Sequence, residues 1–171
     1  IRSSIKSLIR TIEKGDIVYV HFSGHGQPVE DTSGDEDDGW DESIVPYDAM
    51  QMYIKGKYEG GNHILDDELN GYIESMRTKA GTNGMIYVII DACHSGSSFR
   101  GEDEEDDVPV RGTMRGFSSS RKEYVPRIDK RSKIRINHDD NKADVCVIEA
   151  CRSYQTNSEI KQDGKLKVQL V

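Results

Sequence analysis

Residues 85–91, Met85-Ile86-Tyr87-Val88-Ile89-Ile90-Asp91, form an uninterrupted apolar run closed by a single acid. The run is short and rich in β-branched side chains, which favours a strand over a buried helix. It does not alternate apolar with polar residues, so it predicts a strand covered on both faces, the setting of a parallel strand between helices. DVCVIEA at 144–150 has the same character, a further strand is expected at 16–22, and LKVQLV at the end of the chain is a fourth candidate. Between these runs the period changes. Ile5, Leu8, Ile9 and Ile12 follow the spacing of one helix face, with Gly15 as the stop, and Leu65, Leu69, Tyr72 and Met76 form a second stripe. Asp66 and Asp67 begin that second helix, where carboxylates suit the positive end of the helix dipole. The order predicts an α/β domain with a mostly parallel sheet, whose sites form beyond the carboxyl ends of the strands. At 171 residues and 35% hydrophobic, residues 1–171 are expected to be one domain with a real core.

Charge narrows the function. A net charge of −8 disfavours nucleic acid as the main partner. The charge lies in blocks: EDTSGDEDDGWDE at 30–42, EDEEDD at 102–107, and a basic stretch over 111–135 opposed by Glu123 and Asp129. Each block taken alone reads as a solvated loop. No run is long and apolar enough for a membrane and no leader of the signal-peptide kind is visible, so a cytoplasmic chain is expected. Cys93, Cys146 and Cys151 are odd in number and lack zinc-type spacing, which suits a reducing setting and leaves room for a working thiol.

Two stretches carry the chemistry. His21-Phe22-Ser23-Gly24-His25-Gly26-Gln27 follows the first strand, and Asp91-Ala92-Cys93-His94-Ser95-Gly96 follows the apolar run. Parallel strands can bring His25 and Cys93 to one sheet edge although they are 68 residues apart. A thiol is a weak nucleophile until deprotonated, and a neighbouring imidazole can take its proton. Flanking glycines and free backbone N–H groups help to hold an oxyanion. A lone strand-end cysteine is most often a small buried hydrophobe, and a lone histidine between glycines is usually structural.

Taken together, HFSGHG and DACHSGS resemble the histidine and cysteine motifs of the caspase-like cysteine peptidases, the metacaspase branch most closely. Asp35–Glu42 with Ile44-Val45-Pro46-Tyr47-Asp48 is similar to that family's acidic segment, and Ile64–Leu69 to the helix start after it. The resemblance runs from about residue 5 to 100, with an echo at 148–159. It implies a caspase-like three-layer sandwich with a central sheet flanked by helices. The family's fold opens with a strand before the first helix seen here, so that strand is expected to be missing. Where the family's later motif reads roughly Cys-x-Asp-x-Gln-Thr, this chain has Cys151-Arg152-Ser153-Tyr154-Gln155-Thr156.

The resemblance implies a cysteine endopeptidase, with Cys93 as nucleophile, His25 as its acid/base partner, and the N–H groups of Gly26 and Cys93 as oxyanion hole. Ser23 and Asp91 match positions lining the specificity pocket. A buried charge needs an opposite one, so Asp91 implies substrates cut after Arg or Lys, with Arg152 as the residue that would reverse that preference. Partners are then proteins or peptides with basic P1 residues, not nucleic acid or membrane. Cys151 sits in Glu149-Ala150-Cys151-Arg152-Ser153, superficially like a caspase cysteine signature, and is read as structural, as are His21, His63, His94 and His138. An inactive caspase-like scaffold, a calcium-binding module and a clostripain- or gingipain-like peptidase are the alternatives.

No cofactor is required for this chemistry. Calcium is an expected activator, held by Asp41, Asp66 and Asp67 together with an acid from 102–107. The acidic loop is not an EF-hand, because placing Gly39 at the sixth position puts Gly34 where the first aspartate belongs. The stretch 94–143 shows little apolar periodicity and reads as a long polar loop, a candidate self-processing linker through Arg100, Arg111, Arg115, Arg121 or Lys122.

Overall fold

A computed structural model describes residues 1–93, 113, 115–125, 134, 136 and 138–150, and the backbone of 160–162 and 165–167. The elements are α1 (Arg2–Thr11), β1 (Ile17–Ser23), β2 (His25–Glu30), β3 (Trp40–Val45), β4 (Ile64–Leu65), α2 (Asp66–Ala80), β5 (Met85–Asp91), β6 (Asp144–Glu149), β7 (Ile160–Gln162) and β8 (Lys165–Lys167). The apolar run at 85–91 is thus a strand over its whole length. It is the middle of a parallel sheet ordered β1-β5-β6, registered from Ile17↔Met85 to Ser23↔Asp91 on one side and from Met85↔Asp144 to Ile90↔Glu149 on the other.

The sheet and helices give the expected α/β architecture. Both described helices lie on one face, where Val18, Ile86, Val88 and Ile90 pack with Ile12, Leu69, Ile73, Met76 and Ala80. Each fully buried aliphatic side chain there contributes about 1.5–3 kcal/mol relative to exposure. The second stripe holds with a shift: the buried row of α2 is Leu69, Ile73, Met76 and Ala80, while Tyr72 is only partly buried and Leu65 precedes the helix. In α1 Ile5 and Ile9 pack on the core and Leu8 is exposed. The other sheet face departs from the two-sided burial that the apolar run predicts. Among the described residues nothing covers it fully, and Ile17, Tyr19, Tyr87 and Ile148 are exposed there.

Arg77 ties α2 to the start of β6. Its buried guanidinium donates from Nε to the Ala143 carbonyl at 2.8 Å and from Nη1 to Glu74 at 2.6 Å, while the Ala143 N–H donates to the Arg77 carbonyl. Gly81, at φ +66°, stops the helix and returns its N–H to the Arg77 carbonyl. Gly84 then has no room for a side chain: a Cβ there would lie 2.5 Å from that of Ala80.

A second sheet, β2-β3-β4, is antiparallel, from His25↔Val45 to Glu30↔Trp40 and with Ser43↔Leu65. The chain therefore does not loop after β1. It passes from one sheet to the other within a single residue, Gly24, whose N–H donates to the Asp91 carbonyl at 3.1 Å and where a Cβ would stand 2.9 Å from the Phe22 ring. At the C-terminal end, β7 and β8 form a separate antiparallel hairpin, so the Leu166-Lys167 part of the fourth candidate run does not join the parallel sheet.

Part of the polar stretch 94–143 is built into this fold. Phe117 bridges Val29, exchanging backbone hydrogen bonds with Pro28 and Glu30, and its ring packs between Tyr53, Tyr58 and His63 at 4% exposure. Trp40 meets Tyr124 edge-on, and Lys122 lies 5.1 Å from the Trp40 ring centre. The lone aromatic residues of a polar sequence serve here as anchors.

Candidate active site

β1 and β5 end together on the Ser23↔Asp91 pair. The Ser23 hydroxyl donates to Asp91 Oδ2 at 3.0 Å, and Asp91 is fully buried. His25 and Cys93 each lie two residues beyond this pair, so the register brings both to one sheet edge. His25 is exposed as the first residue of β2, and the buried Gly26 follows it. Cys93 is completely buried and disulfide-bonded. The register thus sets Ser23, His25, Gly26, Asp91 and Cys93 at or just beyond the paired ends of β1 and β5.

The family model for the metacaspase, peptidase C14 domain matches residues 1–100, a span that contains both strand ends. The chain belongs to the metacaspase family. Metacaspase-1A of Aspergillus terreus is 37% identical over 91 residues, which are 53% of this chain and 20% of that protein. Metacaspase-7 of Arabidopsis thaliana is 36% identical over 97 residues, or 56% of this chain and 20% of that protein. The matched region thus covers about 20% of the length of these relatives. The solved structure of protein GSU0716 from Geobacter sulfurreducens aligns at a TM-score of 0.43 and 29% identity, over 64% of this chain and 35% of that one.

The acidic flank of this metacaspase domain lies where β3 meets the start of α2. Asp41 and Asp66 are buried at 5% and 7% exposure, and Asp67 is exposed. Burial, then the charges of Asp31 and Asp67, push Asp41 up to about 7. Burial, then Asp41 and Glu42, push Asp66 up to about 8. Asp66 Oδ1 is buried and has no hydrogen-bond partner among the described residues, an expensive condition for a carboxylate in the absence of a cation. The donor set and this orphaned oxygen fit a hard cation such as calcium. Asp31, Asp35 and Asp41 offer oxygens within 4.8 Å of one another. Asp66 and Asp67 act on Asp41 through charge and do not join that triplet among the described residues. Burial alone would raise Asp31, but the amides of Gly34 and Glu36 and the Ser33 hydroxyl hold it down at about 2. Its Asp-x-Ser-Gly sequence is the turn signal that marks it. The acids of 102–107 lie outside the described residues.

Gln27 is a residue that sequence reasoning missed. Completely buried, it donates from Nε2 to the carbonyls of Gln51 and Arg115 at 2.9 and 2.8 Å, and its Oε1 lies 3.1 Å from His63 Nε2. Tyr58 Oη lies 3.0 Å from His63 Nδ1, and burial holds that imidazole below its ordinary value. Both ring nitrogens are therefore used, which supports the structural reading of His63. A cavity of about 600 Å³ beside this network is lined by Arg2, Glu30, Asp41, His63, Asp67 and Phe117, on the acidic flank and away from the β1/β5 edge. His21 and His138 are exposed, the latter 3.6 Å from Asp140. His94, Cys151 and Arg152 lie outside the described residues. No described helix is long and apolar enough to cross a membrane.

Proposed function

We propose that this domain is a cysteine endopeptidase that cuts after Arg or Lys through His25 and Cys93. What supports the reading is the register that sets both residues two positions beyond the hydrogen-bonded Ser23–Asp91 pair. In the reduced enzyme the His25 imidazole takes the Cys93 proton, and the thiolate attacks the scissile carbonyl carbon. The N–H groups of Gly26 and Cys93 hold the oxyanion. The tetrahedral adduct collapses to a thioester as protonated His25 gives its proton to the leaving amine. Water, deprotonated by His25, then attacks the thioester, releasing the acid and returning the proton to sulfur.

The P1 guanidinium would donate bidentately to Asp91 and donate a further hydrogen bond to the Ser23 hydroxyl oxygen, which favours Arg over Lys. Calcium, held by Asp41, Asp66 and Asp67, would neutralise the acidic flank and fix β3 against α2. Of the linker's basic residues, Arg115 has its carbonyl taken by Gln27, and Lys122 is bound to the Gly39 carbonyl over Trp40. Arg121 is exposed at φ +60° without such anchoring, so it is the described residue best placed for self-cleavage. Arg100 and Arg111 lie outside the described residues.

Fluorogenic peptides ending in Arg, Lys and Asp, assayed in reductant, test the specificity. Labelling by an arginyl chloromethylketone, followed by identification of the modified residue, tests the nucleophile. Preferential turnover of the Asp peptide, or labelling at a residue other than Cys93, overturns the proposal.

A further inference from the structure

We infer that the cavity beside residues 115–124 is a docking site for an acidic peptide segment, a stretch of a protein partner that carries several carboxylates with apolar side chains among them. The strap formed by these residues is pinned along β2, the strand that begins with His25. Gln27 Nε2 donates to the Arg115 carbonyl at 2.8 Å, Phe117 exchanges backbone hydrogen bonds with Pro28 and Glu30, and the hydroxyls of Ser118 and Ser120 donate to Glu30. Gly116 is seated against Trp40, where a Cβ would come within 2.4 Å of the ring. Along the strap the residues alternate. Phe117 and Ser119 line the 600 Å³ cavity of the acidic flank, whereas Gly116 and Ser118 line a second cavity of about 800 Å³. The strap is therefore a ridge between two cavities, and their charges are opposite. The first sets Glu30, Asp41, Glu59, Asp67 and Glu68 against Arg2, while the second sets Arg115, Arg121 and Lys122 against Glu123.

The whole chain carries −8, so this local surplus of cations runs against its composition. Neither guanidinium is paired with a carboxylate among the described residues. Arg115 donates from Nη1 to the Met52 sulfur at 3.2 Å, a weak acceptor, and Arg121 has no hydrogen bond or ion pair there. Arg121 also sits at φ +60°, a left-handed conformation that few residues other than glycine adopt. The lining then decides the class of ligand. Guanidinium forks match carboxylates and phosphates alike. A single phosphate would leave most of such a cavity empty, and Met52, Tyr53 and Tyr124 add an apolar wall that a chain of phosphates would not use. Carboxylates and apolar groups on one peptide backbone match both parts of the lining. Because β2 leads from this strap back to His25, a protein substrate could reach the cavity with a stretch away from its scissile bond. That effect on turnover rests on the proposed peptidase reading; the binding itself does not.

The probe is a fluorescein-labelled peptide of glutamates interspersed with leucine and tyrosine, titrated with the whole chain and read by anisotropy beside a matched lysine peptide. The acidic peptide should bind, the lysine peptide should not, and binding should weaken as salt screens the exposed charges. Arg115→Ala and Arg121→Ala should each weaken binding on the order of tenfold, and Arg115→Lys, which keeps the charge without the fork, by less. Both side chains are exposed, so these variants should melt with the wild type. Bound acidic peptide should also slow tryptic cleavage after Arg121. Equal binding of the lysine peptide, or unchanged affinity in both alanine variants, overturns the inference. Displacement by inorganic phosphate at concentrations below the peptide's Kd assigns the cavity to phosphate groups and overturns it as well. For turnover, Arg peptides with and without the acidic stretch are compared: the extension should lower KM in the wild type and not in Arg115→Ala. Acidic-peptide binding in a chain that turns over neither substrate upholds the site and defeats the peptidase reading. Turnover of both substrates at equal KM, with no peptide binding, defeats the site and leaves that reading standing.

Discussion

Asp91, at the end of β5, and Asp66, at the start of α2, are both buried carboxylates, but their surroundings are opposite. Asp91 accepts a hydrogen bond from Ser23 across the parallel sheet. Asp66 faces the charges of Asp41, Glu42 and Asp67, is pushed up to about 8 with burial as the leading cause, and keeps one oxygen unpartnered. A buried carboxylate at a strand end suits one monovalent partner, such as a substrate guanidinium. Several crowded carboxylates suit a divalent ion. Under the proposed function, the two settings divide between substrate at the parallel-sheet edge and metal at the acidic flank, and each is expected to be alterable without the other.

The largest effect is expected from the parallel-sheet edge. Cys93→Ala should lower kcat/KM for an Arg peptide on the order of 10⁴–10⁶-fold, as removal of a nucleophile does elsewhere, and His25→Ala should be similarly severe. Neither should alter a calcium-dependent melting shift, which a thermal scan of both variants would check. If Cys93→Ala also lost its response to calcium, the two sheets would be coupled and the separation would fail.

Next comes Asp91. Truncating one member of a desolvated ion pair typically costs about 2–5 kcal/mol, so Asp91→Ala should lower kcat/KM for Arg peptides by tens to thousands of fold. The same change should leave the response to calcium intact. Equal losses for Arg and neutral P1 peptides would show that Asp91 supports the fold of the edge and does not select substrate.

Calcium is expected to act through the other sheet. At about a hundredfold excess over Kd, a ligand bound to the native state adds about 2.7 kcal/mol, which at this chain length raises Tm by roughly 5–10 °C. Asp66→Asn should remove most of that rise and stabilise the calcium-free protein at neutral pH, because burial pushes Asp66 up to about 8 and folding must otherwise protonate it. A calcium-induced rise that survives in Asp66→Asn but disappears in Asp35→Asn would move the site to the Asp31–Asp35–Asp41 triplet.

These contrasts were unequally legible in the sequence. The run at 85–91 announces β5 from end to end, because a continuous β-branched stretch needs no distant information. That His25 and Cys93 each follow the end of one of two paired parallel strands was legible from the rule that α/β sites form at strand ends. Other features depend on tertiary contacts that local pattern does not encode. Phe117 reads as one aromatic in a polar loop until Tyr53, Tyr58 and His63 surround it. Gly24 looks like an ordinary turn glycine, although its part is to pass the chain from one sheet to the next. An apolar run alone does not tell which of its faces will be covered, and Tyr87 shows the result at 38% exposure. Asp41 is adjacent in sequence to many acids, and only the fold groups it with Asp31 and Asp35 within 4.8 Å.

The smallest expected effect provides the control for the acidic flank, because the first turn of α2 also contains an acid that has its own cation. Glu68 accepts from Arg2 Nε at 2.7 Å and Nη2 at 2.7 Å, and from Tyr72 Oη at 2.6 Å, while Arg2 also donates to the carbonyls of Gly61 and His63. The hydrogen bond from Arg2 is the leading cause that holds Glu68 below the usual carboxylate range. A depressed carboxylate contributes stability above its unfolded value, near 4.5, and loses it as pH falls through the folded value. Arg2 and Glu68 are each about one-third exposed, so screening reduces the pair to about 1 kcal/mol. Arg2→Ala should therefore lower stability by about that amount at pH 7 and by less below pH 4, as read from urea midpoints at both pH values. The calcium-dependent rise should persist in this variant, since Glu68 has no part in the proposed ion site. A loss that is the same at pH 7 and below pH 4 would assign the effect to α1 packing, and a lost calcium response would show that the internal cation and the metal share one set of carboxylates.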